Sequence, residues 1–292
     1  MKQYKLNILS HGKGDWAYHI LDPMISRTFQ NTEIMHNTDM EPDLVIKSHF
    51  TNMESRQFNC PYILWSGEAS HVLYEEGRAP LFELNTFFSD RQNSIYFPHL
   101  ICEHKTMERV GEQVDKKYCC YYANSVYVKN RDELFNSLRI REPLCFSFGR
   151  CSHTNDNPFE LGREDREQNW RSFSPFKFGI AMENSVVPGY VTEKFGFAIR
   201  ARTVPIYWGD THTLDQLFNH ESYIDYSKFR SNEHITEYIL NVYNDEHKYR
   251  TYTDKPPIVS NVIETFQSIY THYHVWQKQM VDILRNTYPD IN

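Results

Sequence analysis

The fold is decided by the stretch from Pro175 to Asp210, which reads PFKFGIAMENSVVPGYVTEKFGFAIRARTVPIYWGD. It opens with an apolar run over residues 176–182 that is short enough for a buried strand. A polar loop follows, then an amphipathic run from Thr192 to about Arg202, and then a second strand from Val204 to Trp208. Strand, loop, helix and strand in about 35 residues are the minimum for a βαβ unit, so the stretch predicts a parallel pair of strands.

Polar residues crowd the end of the first strand and the start of the helix, where α/β folds bind ligands. Thr192 is a good N-cap residue, so its hydroxyl is predicted to cap the helix and leave backbone N–H groups facing the loop. Lys194 lies in the first turn, where a cation is unfavourable unless an anion binds there, and a diphosphate is the obvious anion. Glu193 is placed to accept hydrogen bonds from ribose or sugar hydroxyls, and Asn184 and Tyr190 frame the same predicted pocket. An ordinary solvated Glu–Lys pair is the alternative, but the setting between two buried strands favours a site.

These residues form a motif. The run MENS at residues 182–185, followed by YVTEK at 190–194 and VPIYWG at 204–209, closely resembles the donor-site signature of the family 10 glycosyltransferases. These are the α1,3/4-fucosyltransferases, and the spacing of the motif resembles that of bacterial members. The resemblance implies a GT-B fold, with two Rossmann-like domains whose parallel sheets face a cleft and a C-terminal helix crossing between them. It also implies GDP-fucose as the donor and inversion at the fucose anomeric carbon.

Length and composition bound the class of protein. The chain has 292 residues, enough for two domains of ordinary size. An apolar fraction of 40% and an aromatic fraction of 15% exclude a disordered chain. The formal charge of −7 argues against a nucleic-acid partner bound through its phosphates.

The cysteines and the N-terminal sequence bear on location. The six cysteines form no C-x-x-C pair and no zinc spacing, so reduced thiols are expected. The start, MKQYKLNILSHG, lacks the apolar region of a signal peptide, and no stretch approaches the ~20 apolar residues that cross a bilayer. Animal and plant fucosyltransferases carry an N-terminal membrane anchor, and its absence favours a soluble bacterial or viral enzyme. We expect a cytoplasmic protein, with peripheral association at the inner membrane face left open.

Residues 1–142 are predicted to form an acceptor-binding Rossmann-like domain. Strands are predicted at Leu6–Leu9, after Pro42 and at Cys60–Trp65, with a helix from about Trp16 to Phe29. The glycines of HGKGDW, at residues 11–16, lack the Walker pattern, so we interpret them as a strand-to-helix turn.

Residues 143–292 are predicted to bind the nucleotide sugar. This domain begins with a strand at Leu144–Phe148 and includes a helix at Asn232–Asn244. Apolar residues at helical spacing from Ser260 to Leu284 predict a long C-terminal helix. The resemblance implies that the end of this helix packs back on the first domain.

Two carboxylates are catalytic candidates. An inverting transfer needs a base for the acceptor hydroxyl, and Glu68 in SGEASH follows a predicted strand on the side where a parallel sheet binds ligands. This segment resembles the acceptor-side acidic motif of the family, although the usual proline is absent. The resemblance favours Glu68 over its rivals Glu54, Glu75 and Glu76. Glu193 in the donor motif is the second candidate.

The departing diphosphate needs cationic partners. Lys194 is the first choice, and an arginine should share the load because its fork suits phosphate oxygens. Family members place such an arginine shortly after the first strand of the second domain. Arg150, at the end of LCFSFGR, lies nearest in this chain, with Arg163 and Arg166 as rivals.

The layout requires no metal, because basic side chains and a helix N-terminus do the electrostatic work; stimulation by divalent cations stays open. No tightly bound cofactor is expected. The predicted function is inverting transfer of L-fucose from GDP-fucose to an oligosaccharide or surface-glycan acceptor, in α1,3 linkage to N-acetylglucosamine or glucose. The alternatives are a GT-B transferase with another nucleotide sugar and a non-catalytic glycan-binding relative.

Overall fold

The structure is a computed structural model that describes residues 4–9, 32–36, 38–49, 57, 59–99, 113–152, 169–259 and 273–289. The chain divides into two compact units. The first comprises Met1–Cys102 with Phe266–Asn292, and the second comprises Glu103–Thr265.

The first unit is built on a parallel sheet. Its strands, in chain order, are β1 (Tyr4–Leu9), β2 (Thr32–His36), β3 (Leu44–Ser48), β4 (Tyr62–Ser66), β5 (Glu83–Asn85) and β6 (Ser94–Tyr96). They are arranged β2-β1-β3-β4-β5-β6, and every described pairing is parallel. All five residues of β4 are buried, as expected of a central strand covered on both faces.

The second unit contains the other sheet, arranged β11-β10-β9-β7-β8 with parallel pairings. Its strands are β7 (Tyr118–Tyr122), β8 (Cys145–Ser147), β9 (Phe176–Ile180), β10 (Val204–Tyr207) and β11 (Ile224–Asp225). Its helices are α1 (Lys129–Arg141), α2 (Asn169–Phe173), α3 (Glu193–Arg200), α4 (Thr211–Leu214), α5 (Asn232–Tyr243) and α6 (Glu246–Thr253).

Helix α5 illustrates why these segments fold as they do. Ser231 accepts a hydrogen bond from the backbone N–H of His234 and so caps the helix. Ile235, Ile239 and Val242 recur at helical spacing and are buried in the core of the second unit. The predicted helix at Asn232–Asn244 matches this element to within one residue.

The α/β class and the parallel sheets that the sequence predicted are confirmed. The division of the chain differs from the predicted boundary after residue 142, because the structure places it between Cys102 and Glu103. Strand β7 pairs with both β8 and β9, and helix α1 buries Leu134 and Leu138 in the second core. Both elements fall in the predicted first domain, yet their buried apolar residues belong to the core of the second unit.

The C-terminal helix α7 spans Tyr273–Thr287 and belongs to the first unit. Met280 and Leu284 on its inner face are buried, and the Tyr288 hydroxyl beyond it donates to the Asp43 carbonyl at 2.7 Å. The earlier part of the predicted helix, at residues 260–272, lies outside the described residues, as do the predicted helix at 16–29 and the glycine turn before it.

Within the part of the chain that the structure describes, no helix is both long and apolar enough to cross a bilayer.

Candidate functional site

The donor motif lies at the carboxyl edge of the second sheet. Beyond β9, Ala181 N–H donates to the Ile206 carbonyl at 2.9 Å, and Glu183 N–H donates to the Trp208 carbonyl at 2.7 Å. The backbone of residues 181–183 therefore continues alongside β10 before the chain turns toward α3. Ligands of parallel α/β sheets bind at this edge.

Glu183 is the central anchor of this corner, and its side chain is fully buried. Its Oε1 accepts the backbone N–H of Thr192 at 2.7 Å, and its Oε2 accepts the Thr192 hydroxyl at 2.7 Å and the Lys194 ammonium at 3.2 Å. Glu183 was not predicted as a site residue from the sequence. The feature of the sequence that could have indicated Glu183 is a charged residue directly after an apolar strand, one position before Asn184.

Thr192 occupies the N-cap position of α3, with extended backbone angles of φ −107° and ψ −177°. Its side chain makes no capping hydrogen bond, so the predicted capping role is wrong. The hydroxyl instead donates to Glu183 and accepts a hydrogen bond from Lys194 at 2.9 Å. A hydrogen bond to a buried carboxylate is stronger than a hydrogen bond between the hydroxyl and a neutral backbone N–H. The Thr192 hydroxyl therefore bonds Glu183 and not the N–H groups of the helix.

Lys194 lies on the first turn of α3, as predicted, with 20% of its side chain exposed. Besides its bonds to Glu183 and Thr192, its Nζ lies 3.7 Å from the Glu193 carboxylate. Burial by itself lowers the pKa of Lys194, but the charges of Glu183 and Glu193 outweigh burial and raise it above its ordinary value. The side chain is therefore a cation at neutral pH.

Arg131 on α1 is a second cation at this edge, and only 2% of it is exposed. Its Nη1 donates to the Met182 carbonyl at 3.1 Å and its Nη2 to the Val126 carbonyl at 2.8 Å. Its Nε has no hydrogen-bond acceptor among the described residues. The charge of Arg131 acts to lower the pKa of Lys194, which places the two cations in one electrostatic environment.

Of the arginines predicted from the sequence, only Arg150 lies among the described residues. Arg150 is an exposed residue in the turn after β8. Arg163 and Arg166 fall outside the described residues. Because β7 is the first strand of the second sheet, the arginine that follows that strand is Arg131. Arg131 was missed because residues 1–142 were all assigned to the first domain.

The loop between Glu183 and α3 is fixed by Asp210. The Asp210 carboxylate accepts the Gly189 N–H at 2.6 Å and the Thr213 hydroxyl at 2.5 Å, and it caps helix α4. Gly189 has φ of 85°, a left-handed conformation that favours glycine. Of the predicted pocket residues, Tyr190 is buried, whereas Asn184 and Glu193 are half-buried.

Glu68 lies in the first unit, half-buried in the loop directly after β4. The hydroxyl of Ser66 lies 3.1 Å from the Glu68 carbonyl and 2.5 Å from that of Ser70, so it holds the loop closed. His49 follows the neighbouring strand β3, and its Nε2 lies 3.1 Å from the Ser70 hydroxyl. Burial lowers the pKa of His49, and the charge of Glu68 opposes that effect.

The rivals of Glu68 have other surroundings. Glu75 is buried with its carboxylate 3.9 Å from Arg78, Glu76 is exposed, and Glu54 lies outside the described residues. Glu83 on β5 is also buried, and its carboxylate lies 3.3 Å from both His71 and Arg91, which ties the loop after Glu68 to β5.

Among the described residues, no group of three or more His, Cys, Asp or Glu side chains is arranged to hold a metal ion.

These features define a class of protein. The two parallel sheets match a crystal structure of an α1,3-fucosyltransferase with GDP, at a TM-score of 0.65 over 94% of this chain and 91% of that chain, with 17% identity. That likeness shows the fold, which is the GT-B fold of glycosyltransferases.

The family follows from the sequence comparison. Residues 112–255 match the model of glycosyltransferase family 10 (fucosyltransferase), C-terminal part. The match covers just under half of the chain and confirms the family that the donor motif predicted.

Curated relatives match over similar lengths. The chain is 32% identical over 145 residues to an alpha-(1,4)-fucosyltransferase of Arabidopsis thaliana, covering 45% of this chain and 36% of the relative. It is 31% identical over 122 residues to GDP-fucose protein O-fucosyltransferase 3 of Homo sapiens, covering 39% of this chain and 26% of the relative. The matches thus span about a third or less of the length of these relatives.

Proposed function

We propose that this protein is an inverting fucosyltransferase that moves L-fucose from GDP-fucose to a hydroxyl of a glycan acceptor, in α1,3 linkage to N-acetylglucosamine or glucose. The observation that carries the proposal is the Lys194 ammonium at the start of α3, held by a buried carboxylate at the ligand-binding edge of the second sheet. It lies inside the segment that matches the family model.

In this proposal the diphosphate of the donor binds at the start of α3. Lys194 and the partial positive charge of the helix N-terminus face its oxygens. Arg131 takes the role that the sequence analysis gave to Arg150, because it is the arginine that shares the environment of Lys194. Asn184, Tyr190 and Glu193 bond to ribose and sugar hydroxyls.

The chemistry needs a base and a stabilised leaving group. The acceptor oxygen attacks the fucose anomeric carbon on the face opposite the diphosphate, and the bond from that carbon to the diphosphate oxygen breaks. Glu68 takes the proton from the acceptor hydroxyl. GDP leaves with one additional negative charge, which Lys194 and Arg131 stabilise. Attack from the opposite face inverts the configuration.

A second acceptor class has its own support. The match to a protein O-fucosyltransferase favours a serine or threonine hydroxyl of a protein as the alternative to a sugar hydroxyl. A different nucleotide sugar and a non-catalytic glycan-binding role are the remaining alternatives.

The proposal is tested by GDP release from purified protein. GDP-fucose, GDP-mannose and UDP-glucose are each offered with N-acetyllactosamine, with a serine- and threonine-containing protein domain, and without acceptor. We expect release from GDP-fucose that depends on a glycan acceptor. Release with the protein acceptor alone would shift the acceptor class, and release from another donor alone would replace GDP-fucose. The absence of both GDP release and a GDP-dependent thermal shift would contradict the transferase proposal.

We also propose that the protein acts in the cytoplasm or peripherally at the inner membrane face. The five cysteines that the structure describes, Cys60, Cys119, Cys120, Cys145 and Cys151, are free thiols, which is typical of a reducing compartment.

A further inference from the structure

Glu183 has no part in the chemistry above, yet it is the most completely enclosed charge at the donor edge. Its carboxylate is fully buried, and its backbone N–H is bonded to the Trp208 carbonyl at 2.7 Å. The backbone of Glu183 is therefore held in place by its bond to the segment that follows β10. A buried charge at such a place is costly unless its partners are well oriented.

The three donors of Glu183 belong to the two residues on either side of Glu193. Thr192 gives both its backbone N–H and its hydroxyl at 2.7 Å, and Lys194 gives one ammonium N–H at 3.2 Å. Lys194 gives a second N–H to the Thr192 hydroxyl at 2.9 Å. An ammonium carries three N–H donors, so these two bonds fix the direction of the third.

The packing around Glu183 leaves its side chain little freedom. A Cβ placed on Gly209 would lie 2.9 Å from the Glu183 Cγ and would also overlap the Tyr207 hydroxyl. Burial, followed by the charges of Glu183 and Asp210, raises the pKa of Tyr207 well above its ordinary value. The phenol beside the carboxylate therefore stays neutral.

We propose that Glu183 is a positioning residue for fucosyl transfer, which holds the Lys194 ammonium and the first turn of α3 where they meet the donor diphosphate. This inference rests on the proposed function. The contact to Thr192 alone would be served by a neutral amide oxygen, whereas the contact to Lys194 uses the negative charge. The charge is therefore the feature that a purely structural role would not need.

The test is Glu183→Gln, which keeps the shape and an acceptor for the Thr192 N–H. The leaving diphosphate gains charge in the transition state, so misplacing Lys194 lowers kcat more than it raises KM. We expect kcat to fall roughly 10- to 100-fold, the equivalent of one charged hydrogen bond. KM for GDP-fucose is expected to change less than about threefold.

A second readout needs no substrate. The titration of Lys194 is followed by ¹³C NMR of Cε-labelled lysine and assigned by its loss in Lys194→Arg. Glu183 and Glu193 oppose burial at this ammonium, and Arg131 on α1 adds to the effect of burial. Glu183→Gln is therefore expected to move the titration of Lys194 to lower pH. Asp210→Asn, which removes a carboxylate bonded to Gly189 and Thr213, is the matched control and should leave it in place.

An unmoved Lys194 titration, or an unchanged kcat in folded Glu183→Gln, would overturn the inference. If that variant does not fold, Thr192→Val and Thr192→Ser replace it. Valine removes the hydroxyl that bonds Glu183 and Lys194 and should lower kcat at constant KM, whereas serine keeps the hydroxyl and should not; equal kcat in both would also overturn the inference. If the wild-type protein transfers no fucose, the proposed function itself is contradicted. The wild-type assay is done first, so this failure is distinguished from a failure of the inference about Glu183.

Discussion

Lys194 is held at the edge of the second sheet by Glu183 and Thr192, and its ammonium is charged because the pKa is raised. Replacing it by alanine removes the cation that is proposed to bind the diphosphate. We expect Lys194→Ala to weaken GDP binding roughly 10- to 100-fold, measured by calorimetry, and to abolish transfer. Lys248→Ala, an exposed lysine of the same unit, is the control. Equal GDP affinity in wild type and Lys194→Ala would contradict the placement of the diphosphate.

Glu68 makes a separable prediction, because it is assigned to the acceptor proton and not to the nucleotide. Glu68→Gln keeps the shape of the side chain but cannot take a proton. Transfer is expected to fall about 10²- to 10⁴-fold while GDP affinity stays at the wild-type value. The exposed neighbour Glu76→Gln should change neither quantity. If the glutamine variant transferred fucose at the wild-type rate, another base would be required.

At this scale the sequence identified Lys194 and Thr192 as neighbours at a helix start, and the structure places them there. It could not identify Glu183, because one glutamate after a strand has the same appearance whether it is buried or solvated. Glu183 gains its role only in the fold, where the loop after it brings Thr192 and Lys194 within hydrogen-bond distance of its carboxylate. Arg131 was hidden for a different reason, since its importance depends on which sheet contains β7.

Among the elements, the turn after β8 packs directly on the end of β7. Phe148 N–H donates to the Tyr122 carbonyl at 2.7 Å, and a Cβ on Gly149 would overlap the Asn124 carbonyl. The Asn124 backbone cannot move aside as a flexible side chain can, so the overlap with an alanine Cβ must be relieved by a shift of the chain. Gly149→Ala is therefore expected to lower the free energy of unfolding by about 1–3 kcal/mol. Urea unfolding measures the loss. Gly67→Ala, whose Cβ would meet nothing closer than 3.7 Å, should be nearly neutral, and equal stabilities would refute the close approach.

Lys116 gives a pH-dependent prediction at the ends of α2 and α3. Its Nζ donates to the Ser174 and Ala201 carbonyls at 2.7 and 3.0 Å. Burial first, and then the charge of Arg202, lowers the pKa of Lys116 to about 7. Between that value and the ordinary 10.5, the unfolded chain binds the proton and the folded chain does not. Stability should therefore rise with pH through this window.

Lys116→Met removes this titration, so the rise in unfolding free energy between pH 6.5 and pH 9 should be smaller in the variant than in wild type. Urea unfolding at the two pH values measures the difference. The exposed neighbour Lys117→Met keeps the wild-type rise. Identical slopes for wild type and Lys116→Met would show that the two carbonyls keep the buried ammonium charged.

The predicted elements of the donor motif agree closely with the structure. The helix predicted at Thr192–Arg202 spans Glu193–Arg200, and the strand predicted at Val204–Trp208 spans Val204–Tyr207. Such elements were predictable because their apolar residues follow a clear period. Strand β7 was not, because YCCYY is a short run that follows charged residues, and nothing local shows that it pairs with β9. The periodicity of apolar residues can be recognised within one segment, whereas the pairing of distant strands cannot.

For the molecule as a whole, net charge does not account for the proposed binding of a diphosphate. The chain has a formal charge of −7, and at the donor edge Lys194 and Arg131 are accompanied by Glu183 and Glu193. A diphosphate is therefore not drawn in by a broad positive field. Its binding depends on donors aimed from fixed positions, namely the ammonium, the guanidinium and the helix N–H groups. The sequence predicted the Lys194 ammonium and the helix N–H groups, but neither the Arg131 guanidinium nor the buried Glu183 carboxylate that holds Lys194.

The central claim is that the diphosphate of the donor binds at the first turn of α3. A crystal structure of the protein with GDP bound tests it most directly. The account predicts phosphate oxygens within hydrogen-bond distance of the Lys194 ammonium, while Glu183 keeps its bonds to Thr192. GDP bound at another place, with Lys194 directed to solvent, would contradict it.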